Sequence, residues 1–91
     1  MKKAKDYAKM INDNPTPETL ARVANDFILE CKELVTVRNA QTDSAAVAIF
    51  REQDQKWRAV CNRVEGLKPE GFRLLVGVQF PEVARVLGWA G

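Results

Sequence analysis

The sequence predicts an all-α fold: a long antiparallel helical hairpin, flanked by a short N-terminal helix and a short C-terminal helical segment. Three observations carry this expectation. Apolar residues recur at helical spacing over about Pro17–Arg38 and again over about Asp43–Glu65. Only the polar link Asn39-Ala40-Gln41-Thr42 separates the two runs, so the helices must fold back on each other. The 91 residues form a single helical domain over 1–91, and a chain of this length buries roughly 60–65% of its unfolded surface in one core.

Each element has its own local cause. Lys2–Asn12 places Ala4, Tyr7, Ala8 and Ile11 on one helical face. Asn14-Pro15 ends it, because a residue before proline is pushed out of the α region. Thr16 caps the first long helix and Pro17 takes its first position. Leu20, Val23, Ala24, Phe27, Ile28, Cys31, Leu34 and Val35 then form a broad apolar stripe. Thr42 or Asp43 caps the second long helix, whose stripe is Ala46, Ile49, Phe50, Trp57, Val60, Cys61 and Val64, with Gln53 interrupting it. Gly66 closes that helix, with Leu67 folding back on Cys61. A further segment runs over Pro69–Val76 and is broken by Gly77; Pro81–Leu87 makes a last short helix before Gly88. The run Phe72–Phe80 is apolar on both parities and fits a strand as well as a helix; a lone strand has no partner here, which favours helix.

Charge and cysteine usage narrow the setting. The net charge is +2, with Lys2, Lys3, Lys5 and Lys9 making the start basic and residues 13–33 net acidic. A solubilising helix start explains the lysines; contact with phosphate or anionic lipid is the sharper alternative. No leader pattern and no run of about 20 apolar residues is present, so a cytoplasmic protein without a membrane partner is expected. In a hairpin turning at Asn39–Thr42, Cys31 faces Phe50 and Cys61 faces Leu20. The sulfurs then lie roughly 16 Å apart along the axis, too far for a disulfide. Both cysteines read as small buried hydrophobes in a reducing compartment.

Catalytic chemistry finds little to work with. The chain has no histidine, which removes the commonest general base and the usual metal ligand. Two cysteines alone cannot complete a tetrahedral zinc site. Ser44, the only serine, lies in the first turn of a helix and reads as a capping residue. Asp26, Glu30 and Glu33 share one face and could hold a hard cation, but hairpin geometry puts Glu30 near Arg51 as an ordinary ion pair. Arg51, Gln55, Arg58 and Asn62 form a polar row that could lie along phosphates, diluted by Glu52 and Asp54. No catalytic residue, cofactor or metal is expected.

The segment Gly77-Val78-Gln79-Phe80-Pro81-Glu82-Val83-Ala84-Arg85-Val86-Leu87-Gly88 resembles the turn and recognition helix of helix-turn-helix repressors. Gly77 opens the turn, Val83 follows six positions later, and Val78 and Val86 fit the other apolar positions. The resemblance implies base contacts from Gln79, Glu82 and Arg85. Two residues depart from the family pattern: Arg73 stands where a small residue is wanted, and Phe80 is bulky at the start of the second helix. The segments Val37-Arg38-Asn39, Thr42-Asp43-Ser44 and Lys56-Trp57-Arg58-Ala59-Val60-Cys61 are similar to small helical proteins carried by bacterial prophages. That group has no agreed activity, so the similarity implies a context and not a mechanism.

The expected function is therefore non-enzymatic: a helical interaction or oligomerisation protein, acting with a protein partner and forming a homodimer. The stripe on the first long helix is wider than one neighbour needs. Phe27, Gln53 and Trp57 are the candidate interface residues, with Gln53 either a buried register-setting group or half exposed at the stripe edge. The alternative is a small DNA-binding regulator using a degenerate helix-turn-helix at about 69–88.

Overall fold

The computed structural model describes residues 2–39 and 43–89, and of Asp43 only its backbone. All regular structure among them is helical. The helices are α1 (Ala4–Asp13), α2 (Pro17–Val37), α3 (Asp43–Cys61), α4 (Glu70–Gln79) and α5 (Pro81–Leu87).

Local chemistry sets most of the boundaries. The Lys3 backbone N–H donates to the Asp6 carboxylate at 2.8 Å, satisfying one of the donors that a helix start leaves open. Thr16 Oγ1 accepts from the Thr19 backbone N–H at 3.2 Å, with Pro17 next in line, as the sequence predicts. At the far end of α2, Arg38 N–H still reaches Leu34 O, and Asn39 turns left-handed at φ 51°. The expected cap of α3 by Thr42 or Asp43 lies outside the described residues.

Two expectations need correction. The second long helix stops at Cys61, not near Glu65. Beyond it the backbone tightens to bonds three residues apart, Arg63 N–H to Val60 O and Val64 N–H to Cys61 O. Asn12 of α1 donates to Arg63 O at 3.0 Å, so a long-range partner takes a loop carbonyl. Gly66 then adopts φ 82°, where glycine is at ease. Second, Gly77 does not break α4, which runs through it to Gln79. The stop comes at Phe80, ahead of Pro81. The run 72–80 is helical to Gln79, the alternative favoured over a strand.

Helix α3 is the organising element: it packs against each of the other four. Contacts between α2 and α3 bring Phe27 to Trp57, Glu30 to Gln53 and Arg38 to Glu52. Phe27, Phe50 and Trp57 share one core with Phe72 and Val76 of α4 and Tyr7 of α1. Phe27 lies at its centre, with ring centroids 5.5 Å from Tyr7, 5.2 Å from Trp57 and 5.2 Å from Phe72. The N-terminal helix is thus part of the core and not a flank, because Tyr7, Ala8 and Ile11 are all buried.

Candidate functional site

Two buried carboxylates organise the polar chemistry. The first is Glu30 of α2, only 6% exposed. Tyr7 Oη donates to its Oε2 at 2.5 Å, Lys56 Nζ pairs with Oε1, and Gln53 Nε2 donates to Oε1 at 3.3 Å. Burial alone pushes this carboxyl up, but the hydrogen bonds from Lys56, Tyr7 and Gln53 outweigh it and leave Glu30 below its ordinary value. Tyr7 moves the other way: burial and the hydrogen bond to Glu30 hold its hydroxyl protonated far into the alkaline range. The neighbouring Cys31 is pushed by burial to about 12, so its thiol is unreactive near neutrality.

This cluster corrects several expectations. Glu30 meets Lys56 and Gln53, not Arg51, because Arg51 lies on the other flank of α3 and lines a cleft there. Asp26, Glu30 and Glu33 do not act together. Glu30 is turned inward, Glu33 is exposed, and Asp26 lies 3.9 Å from Lys2. No set of three metal-ligating side chains gathers among the described residues. The candidate interface residues Phe27, Gln53 and Trp57 are 1%, 4% and 6% exposed, so the chain's own packing covers them. Gln53 is the buried alternative of the two considered, and its partners Glu30 and Cys31 belong to the same chain. Trp57 Nε1 is buried without a hydrogen-bond partner among the described residues. The sequence signal missed here was Tyr7: a hydroxyl at a core position of α1 implies a buried acceptor opposite it.

The second carboxylate is Asp54, on α3 and also 6% exposed. Arg73 of α4 grips it with two donors, Nε to Oδ1 at 3.2 Å and Nη2 to Oδ2 at 2.9 Å. Arg58 adds Nε to Oδ2 at 3.2 Å. Burial raises this carboxyl, but the two guanidinium groups prevail and hold it below its ordinary value. Arg73 also lies over the Trp89 ring, 4.9 Å from its centroid. The position that departs from the repressor pattern is thus occupied by a paired arginine that ties α4 to α3. Arg51, Gln55, Leu87 and Trp89 complete a cleft of about 270 Å³ around this pair.

The repressor-like segment has the right residues exposed and the wrong joint. Gln79, Glu82 and Arg85 face solvent, and Arg85 pairs with Glu82. Helix-turn-helix units need a three- to four-residue turn, commonly holding a glycine. Here Phe80 alone separates α4 from α5, Gly77 is helical, and the Phe80 ring packs on Phe50 at 4.8 Å.

The largest exposed apolar side chains near these elements belong to α4. Leu74 is 70% exposed and Val78, one turn on, 78%. Phe72 and Val76 of the same helix are buried, so α4 is apolar on two sides and covered on one. No helix among the described residues is long and apolar enough to cross a membrane. Comparison with protein-family models, with curated proteins and with solved structures finds no match for this chain.

Proposed function

We propose that the protein is a non-enzymatic helical interaction module that associates through the outer face of α4. In this reading α2 and α3 act as an antiparallel hairpin whose role is to hold α4 rigidly. The carrying observation is the pair Leu74 and Val78, open to solvent on a helix that is apolar on two sides. A helix of that kind is normally covered on both sides.

The partner chemistry that fits first is a second copy. On the outer face, Gly71, Leu74 and Val78 fall at helical spacing, with the half-buried Leu75 at the edge where that face meets the core. Two such helices laid antiparallel about a two-fold axis set Gly71 against Val78 and Leu74 against Leu75. A side chain at Gly71 would meet nothing within 4 Å in the single chain, so that glycine has no packing duty there. Close approach of a second helix would account for a glycine at this exposed position in the first turn of α4. The buried Cys31 thiol fits our placing the dimer in a reducing compartment such as the cytoplasm, and the phage-related setting rests on the sequence resemblance alone.

Light scattering at roughly tens of micromolar tests this. The expected mass is twice the 10.2 kDa of one chain, and Leu74→Lys with Val78→Lys should halve it while the helical circular dichroism is unchanged. A parent protein of single-chain mass rejects self-association through α4. The DNA-binding alternative is not favoured by any contact described above, and its test is a selection from random duplexes: one enriched motif whose binding is lost in Arg85→Ala would restore it.

A further inference from the structure

We propose that the cleft between α3 and the C-terminal residues is a binding site for a small phosphate ester carrying a flat ring, of the mononucleotide class. The polar row Arg51, Gln55 and Arg58 on α3 gains a third guanidinium in the fold, because Asp54 draws Arg73 of α4 to its side. Two arginines therefore hold one buried carboxylate, and a third, Arg51, lines the cleft beside it. Arg58 and Arg73 are committed to Asp54. Arg51 lines the cleft and has no carboxylate partner among the described residues. Counting Glu70, whose charge reaches Arg73, the surroundings still carry one positive charge in excess.

Guanidinium groups recognise phosphate through several N–H donors at once, and Gln55, one turn from Arg51, adds an amide donor. The far wall is apolar: Leu87 and the Trp89 ring. Trp89 is held by its own backbone bond to Ala84 O at 2.8 Å and by edge contact with Phe72 at 5.9 Å, so the wall is in place before a ligand arrives. Aromatic rings and guanidinium planes both stack bases without regard to their identity, and here Arg73 lies over the Trp89 ring, so the stacking platform is the guanidinium–indole pair. The volume of about 270 Å³ lies near the lower end of small-molecule sites and suits a single nucleotide better than a dinucleotide. The site is independent of the α4 outer face, and its failure would leave the association reading untouched.

The test is amide and indole nuclear magnetic resonance on the full chain, titrated with adenosine monophosphate, inorganic phosphate and adenosine in separate arms. The Trp89 indole and the Arg51 and Gln55 signals should move saturably with the nucleotide, with a midpoint in the range of about 0.1–5 mM. Arg51 is exposed and has no carboxylate partner among the described residues, so Arg51→Met should fold normally and weaken binding about tenfold or more, while Arg22→Met on α2 changes nothing. No saturable shift up to about 10 mM, or a midpoint left unchanged by Arg51→Met, overturns the proposal. Inorganic phosphate or adenosine binding as tightly as the nucleotide overturns it as well, since one half of the ligand would then be idle. A single-stranded oligonucleotide that binds more tightly and moves signals well beyond the cleft would reassign the surface to nucleic acid.

Discussion

Glu30 and Asp54 are both 6% exposed, and each lies against a different flank of α3. Around Glu30 the chain supplies one cation, one hydroxyl and one amide, all directed at the carboxylate. Around Asp54 it supplies two guanidinium groups and leaves a third, Arg51, in the adjoining cleft. The first cluster has no surplus and ties α1, α2 and α3 together. The second ties α3 to α4 and carries excess positive charge open to solvent. Burying a carboxylate demands compensation in both places; only where compensation exceeds demand is there charge left to meet something outside the chain.

The sharpest way to break this comparison is to remove what both sides share. Phe27 touches Tyr7 on the closed side and Phe72 on the open side, and is 1% exposed. Phe27→Ala should cost about 3–5 kcal/mol in urea unfolding, and a change near zero would sink the account of one continuous core. Next, Lys56→Met strands Glu30 without its cation and should cost about 3 kcal/mol. Replacing Glu30 by methionine in the same protein should recover much of that loss, because the uncompensated charge then disappears. If it does not, the lysine contributes by packing and not by charge.

Acid should act on both clusters in one direction. Each carboxyl lies below its ordinary value when folded, so the unfolded chain takes up protons first as pH falls. The stability these groups supply is complete above about pH 5 and drains away below it, through the ordinary carboxylate range towards the lower folded values. Thermal melts between about pH 3 and 7 measure this, and Lys56→Met should flatten the curve. On the open side, Arg73→Gln should cost only about 1 kcal/mol, because its side chain is 40% exposed, water screens the pair, and Arg58 remains on Asp54. A cost as large as that of Lys56→Met would erase the distinction between the clusters. The smallest effect is expected at Leu74, where Leu74→Lys should shift single-chain stability by no more than about 0.5 kcal/mol while changing the associated mass.

The sequence by itself determined the helical class, the start of α2 at Thr16-Pro17, the end of α5 at Gly88, and the common core of Phe27, Phe50 and Trp57. These follow from local rules: caps, proline geometry and a 3.6-residue apolar period are written in neighbouring residues. It also marked Gln53 as a polar break in an apolar stripe, without saying what would meet it. Tertiary structure decided the rest. Glu30 looks like one of three surface carboxylates until Tyr7, 23 positions earlier, covers it. Gly77 looks like a breaker until packing of Phe72 and Val76 on the core carries α4 through it. The turn after the second long helix looks like more helix in the sequence, yet its Arg63 carbonyl is met by Asn12, 51 positions away. Arg73 looks like an obstacle to helix packing until Asp54 of α3 accepts both of its donors. In each case the deciding partner is distant in sequence, and periodicity along one helix carries no information about which flank of a neighbour it will meet.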